Sequence, residues 1–155
     1  MFISRVLQSP QMVHRVLRSF QAEGGYDSLV LPGLRIVNAE EGRVRAEFTV
    51  EKQHLNRLKS VHGGLLATVV DIGGSLALAS KGLYATGVST DINISYISGA
   101  KEGQVVSVDC VCDKLGKTLA FTSVQLTADS RLVALGRHNK FVAQAYGHPE
   151  NELKK

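Results

Sequence analysis

The apolar positions of this chain follow a helical period in two places and a strand period almost everywhere else. Between Gln11 and Gln21, Met12, Val13, Val16, Leu17 and Phe20 recur at three- and four-residue spacing, which predicts an amphipathic helix. The following EGGYDSLVLPG reads as a loop. Leu34, Ile36, Val44, Ala46, Phe48 and Val50 then alternate with polar neighbours around a Glu41-Gly42 turn, predicting a hairpin. Residues 52–61 are polar and irregular. From residue 63 to about 81 the chain is apolar on nearly every side of a helix, with Gly82 as the predicted stop. Alternation returns in VSTDINISYI (88–97), QVVSVDCVCDK (104–114), KTLAFTSVQLT (117–127) and LVALGRHNKFVAQ (132–144). Turns are expected at 99–103, at Leu115-Gly116 and at 128–131. The tail GHPENELKK reads as polar and frayed.

This order is helix, two strands, one long apolar helix, four strands. It argues for an α+β fold with an antiparallel sheet. A helix apolar on all sides must be covered on all sides, and a strongly curved sheet wrapped around it does that. At 155 residues one domain is expected. The reading divides the chain into an N-terminal helix and loop (1–30), a main domain (31–145) and a polar tail (146–155).

Charge narrows the partners. A net +4 and a sequence pI of about 9.2 suit an anionic ligand such as a phosphorylated cofactor. They lack the dense Lys/Arg clustering of a nucleic-acid binder. The cysteines, Cys110 and Cys112, sit two apart on one predicted strand face, poor geometry for a disulfide, and no Cys/His cluster has zinc spacing. Free thiols in a reducing compartment are expected. The first 22 residues carry Arg5, Arg15 and Arg18, several serines and no acid, a pattern shared by mitochondrial transit peptides and by an ordinary surface helix. Cytoplasmic and mitochondrial locations both fit. The apolar segment 61–79 is long, but Asp71 in its interior argues for a buried helix of a folded domain and against a membrane span.

Asp71 is the residue that needs explaining. A lone carboxylate among apolar neighbours costs several kcal/mol unless it is paired or hydrogen-bonded, by roughly the penalty for burying polar groups. Two explanations stand from the residues alone: local satisfaction by the hydroxyls of Thr68 and Ser75 at i−3 and i+4, or a working carboxylate open to a cleft. At the helix start, HGG supplies unpaired N–H groups, a positive dipole end and room for close approach. Those are the ingredients of an oxyanion hole at Gly63, or merely of a capped helix with His62 as cap. Gly63 and Asp71 lie about 12 Å apart along one helix, so one bound carbonyl cannot touch both. Either Asp71 is unconnected with that donor or the site is shared between two chains. Asn56 is a substrate-positioning residue or a turn residue, and Ser89 a site hydroxyl or a strand-edge serine. GKT at 116–118 lacks the earlier glycine of a P-loop and leads into a strand, which excludes nucleotide hydrolysis of that type.

HLNRLKSVHGGLLATVVDIGGSLAL, GVSTDINISY, LGKTLAFTSVQLT and ALGRHNKF, in that order across roughly residues 34–141, resemble the hotdog-fold acyl-coenzyme A thioesterases. The resemblance implies a hotdog fold, a curved antiparallel sheet around one long helix. It implies hydrolysis of medium- or long-chain acyl-coenzyme A with no metal and no cofactor, coenzyme A being part of the substrate. It implies a homo-oligomer, a dimer of dimers, with no nucleic-acid partner. Asn56, His62 and Gly63 of one chain would face Asp71 and Ser89 of its neighbour, Asp71 serving as general base or nucleophile. Lys114, Gly116, Lys117, Thr118 and Leu119 would contact coenzyme A, Arg137, His138 and Lys140 would add positive charge, and Tyr96 would shape the acyl tunnel. Phe141 stands where the family leads one to expect a polar residue. A non-hydrolytic acyl-coenzyme A binder and a phenylacetyl-type thioesterase remain the alternatives.

Overall fold

The structure, a computed structural model, describes residues 8–22 and 24–153. Helices α1 (Gln8–Ala22) and α2 (Tyr26–Val30) precede strands β1 (Arg35–Glu40) and β2 (Arg43–Thr49). Helix α3 (Gly63–Ala79) follows, and strands β3 (Val88–Tyr96), β4 (Val105–Leu115), β5 (Leu119–Ala128) and β6 (Arg131–Phe141) complete the chain. The six strands form one antiparallel sheet in the order β1-β2-β4-β5-β6-β3. The expected order of elements is therefore the observed one, with a short helix α2 added inside the segment read as a loop.

Alternation decides which face is buried. Val44, Ala46 and Phe48 of β2, Ala120, Thr122, Val124 and Leu126 of β5, and Ala134, Gly136, His138 and Lys140 of β6 all turn inward onto α3. The sheet reaches the helix closely because α3 presents glycines to it. A Cβ on Gly73 would lie 2.9 Å from Cys110 Sγ, and one on Gly74 would lie 2.6 Å from both His138 Nδ1 and Thr122 Oγ1. The sheet does not cover α3 alone. Met12, Val13, Val16 and Leu17 of α1 are buried in the same core, with α1 packed on α3 and β1. The amphipathic helix is thus part of the fold from Gln8 to Ala22; residues 1–7, the rest of the transit-like segment, lie outside the described residues.

Two surfaces stay open. On the first half of α3, Gly64, Ala67, Thr68 and Asp71 form a stripe at i, i+3, i+4 and i+7 that is not buried, whereas every residue from Ile72 to Ser80 is. Strand β3 is an edge strand, and Val88, Ile92 and Tyr96 on it are exposed.

The tail corrects the expectation of fraying. Leu153 and Tyr146 pack on a second apolar cluster of Leu78, Leu83, Ala120, Val142 and Ala145. Glu152 N donates to Gly82 O at 2.8 Å, and Tyr84 N to Asn151 Oδ1 at 2.8 Å. Gly82 has φ +96°, and a side chain there would run into the Glu152 carbonyl. Arg15 reaches Glu150 and Glu152 at 2.5 and 2.9 Å, tying α1 to the same segment.

Candidate active site

Asp71 lies at the boundary between the open and the buried halves of α3. Its side chain is 46% exposed, so the carboxylate looks outward from an otherwise buried helix. Thr68 and Ser75 do not satisfy it. Thr68 Oγ1 donates to Gly64 O at 3.0 Å and meets Tyr26 Oη at 3.1 Å. Ser75 Oγ accepts from Lys140 Nζ at 2.7 Å. Local satisfaction is therefore replaced by partners from the sheet. Ser89 Oγ is 3.3 Å from Asp71 Oδ1, and His138 Nε2 is also 3.3 Å from it.

Strands β3 and β6 bring these partners in. A register shift between Ser89 and Asp91 sets Thr90 aside, where its hydroxyl donates to Asn139 O at 3.0 Å, and leaves Ser89 reaching the His138 ring. Such bulges re-aim a side chain without ending the ladder. His138 is fully buried and lies against Gly74, whose missing side chain makes the space for the ring. Its Nδ1 is 3.1 Å from the Asp71 main-chain carbonyl and its Nε2 is 2.8 Å from Ser89 Oγ. A carbonyl only accepts, so Nδ1 carries the hydrogen, and the neutral ring's Nε2 competes with Asp71 Oδ1 for the single Ser89 hydroxyl hydrogen. Burial, and then the Lys140 ammonium, hold the His138 imidazole below the ordinary histidine range, against the upward pull of Asp71 and Asp91. A neutral His138 leaves the Asp71 carboxylate without an imidazolium partner and accessible on its outer side.

The other sequence-derived residues fall into three groups. Asn56 holds a turn: its Oδ1 accepts from Leu58 N at 2.8 Å and Ser60 N at 3.2 Å, with Lys59 at φ +60°, leaving its Nδ2 donor for any ligand. His62 caps α3, its Nδ1 accepting from Gly64 N at 2.8 Å. Gly63 opens the helix, and Tyr96 Oη donates to its carbonyl at 3.2 Å. His62, Gly63 and Tyr96 thus gather at the start of α3, with Asn56 in the 56–60 turn that precedes it, whereas Asp71, Ser89 and His138 gather two turns on. The two groups are separate within one chain.

The third group is the β4–β5 turn. Lys114, Lys117, Thr118 and Leu119 are exposed there, and Gly116 is pinned by Tyr146 Oη donating to its carbonyl at 2.9 Å. Lys114 lines a recess with Lys81 and Tyr146. Arg137 is exposed on the outer sheet face, opposite to His138. Two expectations need correcting. His138 and Lys140 are not surface cations, because the strand period that turns Arg137 and Asn139 outward turns both of them into the core, at 0% and 4% exposure. Their place is beside Asp71. Sequence reasoning also missed α2, whose Tyr26 reaches Thr68 and whose Asp27 carboxyl is raised by burial and then by Asp71. The thiols are free, and burial pushes both above the usual thiol range, which disfavours the thiolate form.

A family model described as "Thioesterase superfamily" matches residues 58–135. The human acyl-coenzyme A thioesterase 13 is 41% identical over 84% of this chain and 94% of its own length. The chain belongs to the thioesterase superfamily. Among solved structures, mouse thioesterase superfamily member 2 superposes with a TM-score of 0.76 at 38% identity, covering 84% of this chain and 97% of that one. A hypothetical thioesterase from Streptococcus pneumoniae, solved with coenzyme A, gives a TM-score of 0.66 at 28% identity, covering 70% and 86%. The curved six-stranded sheet around α3 is the hotdog fold of these thioesterases. The matched family segment runs through the start of α3, Asp71 and Ser89 to Leu135, so both residue groups described above fall within or beside it. This superfamily member is a thioester hydrolase by family. Among its described residues no helix is long and apolar enough to cross a membrane.

Proposed function

We propose that the protein hydrolyses acyl-coenzyme A to the free acid and coenzyme A, with a site built from two chains. The observation that carries the reading is Asp71: a half-exposed carboxylate on a buried helix, backed by Ser89 and a neutral His138. Similarity to an acyl-coenzyme A thioesterase and to a fold-mate solved with coenzyme A supports the choice of substrate.

In the proposed reaction Asp71 accepts a proton from water as its oxygen bonds to the thioester carbonyl carbon. Negative charge develops on the carbonyl oxygen and is received by the Gly63 N–H at the positive end of a helix, with the Asn56 amide as a second donor. The C–S bond then breaks and coenzyme A leaves as thiolate. Direct attack by the carboxylate, giving an anhydride that water opens, uses the same residues. Since Gly63 and Asp71 of one helix are about 12 Å apart, the donor comes from a second copy. The open stripe of Gly64, Ala67, Thr68 and Asp71 suits a neighbouring antiparallel α3, and the apolar β3 edge suits pairing between sheets. Coenzyme A phosphates are assigned to Lys114, Lys117 and Thr118, and the acyl chain to the apolar seam beside Tyr96. Medium or long acyl chains fit such a seam.

The test is thiol release from octanoyl-, palmitoyl- and phenylacetyl-coenzyme A by wild type and Asp71→Asn, both checked for the same assembly. The variant should lose roughly 10²–10⁴-fold in turnover, the usual worth of a general base. Binding without turnover by the wild type would refute hydrolysis, and full activity in the variant would refute the role of Asp71.

A further inference from the structure

Lys140 is 4% exposed, and its Nζ donates to two neutral hydroxyls, Ser75 Oγ at 2.7 Å and Thr86 Oγ1 at 3.4 Å. Among the described residues no carboxylate lies within ion-pair distance of it. A buried ammonium held only by hydroxyls contributes little to stability, since a well-packed apolar side chain of similar size often serves as well or better. Its position gives it another use. Lys140 and His138 point inward from the same strand two residues apart, about 7 Å at strand spacing. Ser75, which anchors the ammonium, follows Asp71 on α3 by one turn, and Gly74 between them meets the His138 ring.

We propose that Lys140 is a positioning residue whose buried ammonium keeps His138 uncharged and thereby keeps the Asp71 carboxylate free to act. If His138 gained a proton, its Nε2–H would face Asp71 Oδ1 at 3.3 Å and tie the carboxylate into an ion pair. The charged groups that bear on His138 are Asp71 from α3, Asp91 from β3 and Lys140 from its own strand; burial pushes the Lys140 ammonium below the ordinary lysine range while Asp71 holds it up, and Asp27 of α2 acts on the site through Asp71. The carboxylates favour an imidazolium and Lys140 opposes it. The downward direction of the His138 equilibrium, caused by burial first and Lys140 second, agrees with that balance.

The catalytic part of this inference rests on the proposed role of Asp71, so its test has a readout that needs no substrate. The His138 imidazole is titrated by NMR in ¹⁵N-histidine-labelled protein, in wild type, Lys140→Met and Lys140→Gln. Gln keeps an amide donor for Ser75 without the charge, and decides the matter by itself if the Met variant fails to fold. Both variants should titrate higher by roughly one and a half to two pH units, the size expected for a unit charge about 7 Å away at an effective dielectric near 20. The acid limb of kcat/KM for thiol release should move upward by the same amount, with the rate recovered at alkaline pH. A His138 titration that superimposes on wild type in the Gln variant overturns the proposal, whatever the activity does. A shifted titration with an unmoved acid limb overturns the link to Asp71. Failure of the underlying reading appears separately: a wild type that binds acyl-coenzyme A without turnover refutes hydrolysis, and an Asp71→Asn enzyme that still turns over refutes the role of Asp71.

Discussion

Gly74→Ala sets two physical rules against each other at the site. Alanine in place of an interior helical glycine should stabilise α3 by about 1 kcal/mol. At this position, however, the new Cβ would lie 2.6 Å from His138 Nδ1, 2.6 Å from Thr122 Oγ1 and 3.1 Å from His138 Cβ. Neither neighbour can swing aside, because His138 and Thr122 are buried and Thr122 is bonded to the His138 carbonyl at 2.8 Å. Overpacking of this kind costs about 1–3 kcal/mol, and separating Nδ1–H from the Asp71 carbonyl adds about 1 kcal/mol. The net expectation is destabilisation by about 2 kcal/mol, or roughly 4–8 °C in Tm for a chain of this size. Because the ring must move, it also loses register with Ser89 and Asp71, and thiol release should fall at least tenfold with KM little changed. Thermal unfolding and steady-state thiol release measure both effects. Gly73→Ala is the control: its Cβ meets Cys110 Sγ at 2.9 Å and Val124 at 3.2 Å, so it should lose stability but keep turnover. A Gly74→Ala protein as stable as wild type and fully active would refute the view that this glycine exists to seat His138.

Two further outcomes follow from the same contacts. His138 is held neutral below the ordinary histidine range, so its contribution to stability is complete above about pH 6.5 and is lost as pH falls toward its folded value, where the unfolded chain has already taken the proton; chemical denaturation from pH 7.5 to 5.5 should show a decline that flattens in His138→Gln, and an unchanged slope would count against it. A chain ending at Gly147 loses the Asn151 and Glu152 bonds to the Tyr84–Gly82 turn and the cover of Leu153; a loss of about 2–4 kcal/mol is expected from two hydrogen bonds and one half-buried leucine, and an unchanged Tm would show the tail to be a passive appendage.

The periods of the apolar positions were enough to lay out the fold. Alternation in β2, β5 and β6 and the all-round apolarity of α3 leave few ways to bury both, and a curved sheet around one helix is one that works. The start of α3 was equally readable, because HGG is a local signal with a local consequence: His62 caps and the glycines let the helix begin. The oddity of Asp71 was also visible, since a carboxylate in an apolar run is conspicuous in sequence alone.

What holds Asp71 was decided elsewhere. Its partners come from residues 18 and 67 positions away, and their arrival depends on a bulge in β3 and on the glycine gap beneath His138. Part of that was within reach of the sequence. Strict alternation puts Ala134, Gly136, His138 and Lys140 on one face and Leu135, Arg137 and Asn139 on the other, yet residue type argued for a common phosphate role for Arg137, His138 and Lys140. The strand period was the better guide, because a side chain's face is fixed by the pleat, whereas its charge fixes nothing about where it points. The docked tail and α2 were not legible at all: GHPENEL (147–153) and YDSLV are too short to carry a period, and they take their structure from the Gly82 turn and from the Thr68 face of α3. Local pattern determines which elements form and which of their faces are apolar. Only packing decides which polar groups meet inside, since that depends on register, on close approach at glycine and on chain ends returning to cover what the elements leave open.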